Sequence, residues 1–198
     1  MTDALLDGDG DDDANTPLAH EERQQLRLSY ITTRGELNEA EQANIAQAMR
    51  WLRGIKREVV DEDFHCELHR RMFSEVWRWA GDYRTTERNI GVAAHLIPME
   101  MRQLLGDVRF QIDHNSFPPD ELAVRFSHRL VAIHPFPNGN GRHSRLAGDR
   151  LAMQLGQRAF TWGRNSLVDP GATRTAYVRA LQAADNHDYE PLIEFARS

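Results

Sequence analysis

An all-α domain with one small β excursion is what the sequence predicts, and three observations predict it. Apolar residues recur at three- and four-residue spacing through several successive segments. Pro and Gly punctuate the ends of those segments. The periodicity fails only once at length, between Asp82 and Ile97.

Taken in order, residues 1–15 (MTDALLDGDGDDDAN) carry six Asp and no Lys or Arg. Without periodicity they read as a disordered acidic tail ahead of a single domain over 16–198. Within an N-terminal helical segment over 30–57, Asn38 precedes Glu41 as a cap-like start. Ile45, Ala48, Met49 and Leu52 then share a face until Gly54. Asp61 to Ala80 repeats the pattern with Phe64, Leu68, Met72, Phe73, Val76 and Trp77, and Gly81 caps it. Tyr83, Thr85, Thr86, Ile90 and Val92 around Gly91 suggest short extended segments, a hairpin. Pro98 opens a helix to about Asp113. Pro118 and Pro119 open the next, which ends at His134-Pro135 because the residue before a proline is driven out of the helical region. A glycine-rich loop leads to a helix from about Arg142 to Leu155, and Pro170 to Ala184 and Pro191 to Ala196 supply the last two.

Composition excludes several classes. Hydrophobic residues are 40% and charged residues 27%, ordinary for a globular protein. No apolar run approaches the roughly 18 residues of a membrane span, and the acidic start is unlike a secretory signal, so no membrane partner is expected and the default location is cytoplasmic. Cys66 is the single cysteine, which rules out an internal disulfide. The net charge of −6 equals the six Asp of the tail, leaving 24 acidic against 24 basic residues beyond it. A neutral domain lacks the net basic face of a general nucleic-acid binder.

The chemistry concentrates in residues 134–145, HPFPNGNGRHSR. Gly139, Asn140 and Gly141 run straight into a helix. Its first amides have no internal partner, and its dipole is positive there, so the turn makes a cradle for phosphate. Arg142 and Arg145, three apart on the first turn, present forked donors that suit phosphate oxygens. Two cations at the positive end of a helix oppose the dipole until an anion arrives. His134, ending the preceding helix, can take a proton from an attacking hydroxyl. Asn138 offers a carbonyl oxygen to Mg²⁺ bridging the phosphates. Phe136 anchors the loop in the core. Each feature alone has an ordinary structural explanation; their order within twelve residues favours a site.

This loop resembles the Fic motif, His-x-Phe-x-(Asp/Glu)-Gly-Asn-(Gly/Lys)-Arg-x-x-Arg, and departs from it only at Asn138, where the family has an acid. Trp79 to Gly91 (WAGDYRTTERNIG) is similar to the family's approach to its flap, and Tyr177 to Phe195 to its C-terminal helices. The likeness covers most of 30–198 and looks nearest to small Fic/Doc proteins of the "mobile mystery protein B" type. It implies about eight helices with a β-hairpin flap. It also implies AMP transfer from ATP, with Mg²⁺, to a Ser, Thr or Tyr hydroxyl of a target protein, and an antitoxin or a second copy of the chain as a further partner. Carried over, His134 is the base and Asn138 holds Mg²⁺. Gly139, Asn140 and Gly141 cradle the α- and β-phosphates, and Arg142 and Arg145 take the distal ones. The flap at Asn89, Ile90, Gly91 and Val92 docks the target by strand addition. Because a neutral amide holds Mg²⁺ more weakly than a carboxylate, Asn138 leaves two other readings open: phosphorylation of the Doc kind, and nucleotide binding without catalysis.

Many Fic proteins carry an inhibitory (Ser/Thr)-x-x-x-Glu-(Gly/Asn) helix. Thr32 and Glu36 fit its first half, with Leu37 where Gly or Asn is expected. A Glu reaching Arg145 would compete with the γ-phosphate; alternatively this stretch is only the turn before a helix. His65 and His69 stand four apart, the spacing of zinc ligands, but Cys66 replaces the expected Glu and no third ligand is evident. His69 is instead expected to pack near Phe73.

Overall fold

The computed structural model describes residues 20–163 and 170–198. The acidic tail, together with 16–19 of the expected domain, lies outside the described residues. Eight helices occur among them: α1 (His20–Gln25), α2 (Arg34–Gly54), α3 (Glu62–Phe73), α4 (Ile97–Asp113), α5 (Pro119–Ile133), α6 (Asn140–Gln154), α7 (Pro170–Asp185) and α8 (Glu190–Arg197), with a 3₁₀ turn at Ala94–Leu96.

α5 and α6 pack together as the central pair. α4 and α8 flank α5, α3 meets α6, α2 lies on α3, and α7 lies on α8. Helices α2 to α8 bury apolar residues at helical spacing, such as Leu122, Phe126, Leu130 and Ile133 on α5, and these stripes meet in one core with Phe64, Leu68, Met72 and Leu151. Prolines at the first turns of α4, α5 and α8 cost no helical hydrogen bond there, which is why those starts were legible.

Three elements differ from expectation. α2 begins four residues before Asn38, because Thr33 caps it: Glu36 N–H donates to Thr33 Oγ1 at 3.4 Å, and the Glu36 carboxylate accepts from Thr33 N–H at 3.1 Å. α3 stops at Phe73 rather than Ala80. Beyond Ser74 the chain pairs with the segment after α1, through Arg27 N–H to Val76 O and Arg78 N–H to Gln25 O, and this fulfils backbone groups that a longer helix would have satisfied. Residues 82–93 form no paired hairpin, although an isolated bridge joins Leu26 to Trp77 elsewhere in the chain. The backbone groups of 82–93 instead bond to the turn that follows α5: Arg84 N–H to Pro135 O at 2.9 Å and Val92 N–H to Ile133 O at 3.3 Å.

Candidate functional site

His134 caps α5 in the left-handed conformation, φ 55° and ψ 58°, forced off the helical path by Pro135. Its residue surface is 1% exposed. The covering residue is Gly91 of the loop over 86–92. A Cβ placed on Gly91 would lie 2.6 Å from His134 Cβ, and Gly91 has φ +87°, so this contact exists only because position 91 has no side chain. Asn89 and Gly91 are exposed, Ile90 and Val92 half-buried. Of the four residues expected to dock a target, Gly91 packs against the histidine and Val92 bonds to Ile133 beside it.

The turn that follows is braced from within. Asn140 Nδ2 donates to Phe136 O, and Asn140 Oδ1 accepts from Phe136 N–H, both at 2.9 Å. The Asn140 side chain is thus a buried strut, while its amide belongs to the start of α6. Phe136 is fully buried, its ring stacked on His69 with centroids 3.7 Å apart and edge-on to His143 at 4.9 Å. Gly139 begins α6 with φ 77°, and a Cβ there would come 2.5 Å from the Phe73 ring. α6 has no side-chain cap and no acid in its first turn, which leaves its first amides to an outside acceptor. Asn138 is half-buried and turns its Oδ1 onto the Gly139 N–H, at the edge of the same amides.

Arg142 and Arg145 follow on α6. Arg142 lies over the Phe73 ring at 4.9 Å, and its Nη1 donates to Glu41 Oε2 at 2.6 Å. Glu41, 3% exposed on α2, also accepts from Trp77 Nε1 at 2.5 Å. Nε and Nη2 of Arg142 are buried with no protein partner, so two donors of a charged fork remain for an anion. Arg145 lies over Tyr177 at 5.1 Å, with Nη1 3.8 Å from where a Gly141 Cβ would sit.

His69 sits behind the loop, as expected beside Phe73, with ring centroids 4.8 Å apart. Its Nδ1 accepts from Gly81 N–H and its Nε2 donates to Asn138 O, both at 3.0 Å. Burial pushes its pKa down to about 3, which keeps the ring neutral in the tautomer these two bonds require. His65 Nε2 donates to Val59 O at 2.8 Å, and burial lowers its pKa to about 4. Both imidazoles are engaged in holding the chain.

The structure therefore gathers His134, Asn138, Gly139, Asn140, Gly141, Arg142 and Arg145 at the junction of α5 and α6, with Gly91 against His134. Thr32 and Glu36 are not part of that gathering. Glu36 is exposed and its carboxylate accepts from Thr32 N–H at 2.8 Å, Thr32 Oγ1 at 3.1 Å and Thr33 N–H, contacts that hold its pKa below the usual carboxylate value, the Thr32 amide foremost. The carboxylate that reaches Arg142 is Glu41. The sequence places His69 beside Phe73 but does not connect it, Glu41 or Arg84 with the site. Glu41 had a signal: it stands on the inward stripe Leu37, Glu41, Asn44, Ala48, Leu52, where an acid needs a partner. Arg84, amid polar neighbours, had none.

These features define a class: a small all-helical domain built around an amide-lined turn, with an imidazole at one side and guanidinium groups at the other. A model of the "Fic/DOC family" matches residues 59–152. "Protein adenylyltransferase Fic" of Drosophila grimshawi is 30% identical over 133 residues, 65% of this chain and 26% of the relative. "Protein adenylyltransferase fic-1" of Caenorhabditis elegans is 29% identical over 133 residues, again 65% of this chain and 25% of the relative. The chain thus spans about a quarter of the length of these curated relatives. Among solved structures, the BepC protein of Bartonella tribocorum with bound AMPPNP has a TM-score of 0.69 at 18% identity, over 90% of this chain and 97% of that one. Fic-1 from C. elegans has a TM-score of 0.63 at 24% identity, over 81% of this chain and 47% of that one. At these identities the structural likeness establishes the fold, all-α and Fic-like.

Proposed function

We propose that this chain is a protein adenylyltransferase, moving AMP from ATP onto a Ser, Thr or Tyr hydroxyl of a protein. The observation that carries the reading is Arg142: a buried fork with two unpartnered donors beside an uncapped helix start, one turn of chain from His134. A polyphosphate satisfies those donors and amides together. The names of the curated relatives and the AMPPNP held by the BepC structure point to ATP as the source.

In the step that follows, the acceptor oxygen bonds to the α-phosphorus while the bond from that phosphorus to the bridging oxygen of the β-phosphate breaks. His134 takes the hydroxyl proton. Pyrophosphate leaves with its charge held by the α6 amides, Arg142 and Arg145. Positioning and preorganised charge supply the acceleration. Mg²⁺ neutralises phosphate charge when bound, and Asn138 fits as one oxygen donor at the amide edge. No group of three His, Cys, Asp or Glu that could hold an ion alone occurs among the described residues, so Mg²⁺ held by Asn138 would draw its other ligands from phosphate oxygens and water. The neutral Asn138 predicts a greater dependence on Mg²⁺ concentration than an acid would give.

Asn138 also favours a second reading, phosphorylation. Incubation with α-labelled and, separately, γ-labelled ATP decides between them: protein-bound α label supports AMP transfer, γ label the kinase. His134→Ala should lower α-label transfer at least about a hundredfold, the scale of losing a general base. Label that persists in that variant overturns the mechanism.

A further inference from the structure

Arg84 is 3% exposed, yet it lies in a polar stretch of the sequence. Its guanidinium donates to three backbone carbonyls: Nε to His134 O at 2.7 Å, Nη1 to Thr86 O at 3.0 Å, and Nη2 to Val92 O. Thr86 and Val92 are the two ends of the loop that covers His134. The backbone adds to the same connection, since Arg84 N–H reaches Pro135 O and Val92 N–H reaches Ile133 O. Between those ends, Glu87, Arg88 and Asn89 are exposed. Arg88 Nη2 also donates to Pro137 O at 3.4 Å and Glu87 Oε1 accepts from Ala94 N–H at 3.1 Å, while both ends of the loop stand on one planar cation.

A guanidinium suits this task because its donors form a rigid fork, so fixing one carbonyl fixes the directions available to the others. A lysine ammonium is a single point and cannot reach carbonyls set around different edges of that plane. Gly91 lies within the same contact: its Cβ position is 2.8 Å from Arg84 Nη2 and 2.6 Å from His134 Cβ. Displacing the fork moves the loop relative to the imidazole.

We propose that Arg84 is a positioning residue that sets the register between the loop over 86–92 and His134, and so the height at which an acceptor hydroxyl docked on that loop meets the base. This rests on the AMP-transfer reading for its consequence in the reaction, though the latch itself can be tested without it. A residue that only stabilises the fold would weaken nucleotide binding and transfer together. A register device acts on the acceptor side alone.

The test uses the full chain with Arg84→Gln and Arg84→Lys. Affinity for AMPPNP, measured by calorimetry, is expected to stay within about threefold of the parent. Transfer of α label from ATP to the chain's own hydroxyls is expected to fall about a hundredfold in both, the scale of a misplacement of about 1 Å. Transfer within a few-fold of the parent, full rescue by Lys, or a parallel loss of AMPPNP affinity each overturns the proposal. Should the parent bind AMPPNP but transfer no label, the functional reading fails, and amide exchange decides the latch. Amides of Arg84 and Val92 should open at one common rate in the parent, and about tenfold faster in the Gln variant. Exchange in the unmodified chain also serves if both variants fail to fold: a Val92 amide that opens independently of Arg84 sinks the latch.

Discussion

At the scale of single residues, the charge of Arg142 is the feature on which the site turns. Its pairing with Glu41 takes place between side chains 15% and 4% exposed, so each charge depends on the other for its compensation. Breaking one side of a buried pair typically costs about 3–5 kcal/mol. Some of that is relieved here because Arg142 borders the anion cradle. Glu41→Ala should therefore lower the unfolding free energy by about 2–4 kcal/mol, scaled from the same principle, and ATP should restore part of the loss by supplying a substitute anion. Chemical denaturation with and without nucleotide reads both effects, and an unchanged midpoint without ATP refutes the pairing. Gly139 makes a sharper local demand. An alanine there must keep φ near +77° and push the Phe73 ring from 2.5 Å, so the variant should be destabilised by about 1–3 kcal/mol and lose nucleotide affinity as α6 shifts.

The helices differ in how far their own residues announce them. α4, α5 and α8 carry proline at their first turns and were legible for that reason; the α5 stop at His134-Pro135 was equally plain. The motif turn was readable because glycine, asparagine and arginine have unusual jobs that only a few arrangements allow. The end of α3 was not, since Val76 and Trp77 continue a helical stripe and only the backbone pairing with Gln25 and Arg27 diverts them. The expected hairpin failed for a related reason: residues 84 and 92 find their partners in 133–135, a distant stretch that no local pattern reveals. α2 supplies the test at this scale. Thr32, Thr33 and Glu36 looked like half of an inhibitory pattern, and their hydrogen bonds make a capping box. Thr33→Ala should cost about 1 kcal/mol of stability, the usual worth of an N-cap, and leave AMP transfer per folded molecule as it was. A transfer rate raised several-fold would instead show that the start of α2 restrains the site.

Across the whole molecule, a buried set of imidazoles joins the core to the site. His65 and His69 on α3 face His143 on α6, with ring centroids 5.5 and 5.7 Å apart, among Phe64, Phe73, Phe126 and Phe136. Burial lowers all three pKa values, to about 4 for His65, about 3 for His69 and well below the ordinary value for His143; Arg142 and Arg70 push His69 the same way, while Asp61 opposes the shift at His65. His128 beside Asp185 is lowered by burial too. A histidine with a depressed folded pKa stays neutral in the native state while the unfolded chain takes up a proton below about pH 6.5. Stability is then full above that pH and drains as pH falls toward the folded values, at slightly more than about 1 kcal/mol per pH unit for each imidazole. Glu36 does not confuse this window, because a carboxyl held low loses its contribution only as pH passes below its unfolded value near 4. The urea midpoint should accordingly be flat from pH 8 to 7 and fall steeply between 6.5 and 5, with a proton uptake on unfolding of at least about two in that range. A flat midpoint down to pH 5 would mean that these rings are hydrated or already charged in the folded chain, and that the loop bearing Asn138 is not held by a neutral His69.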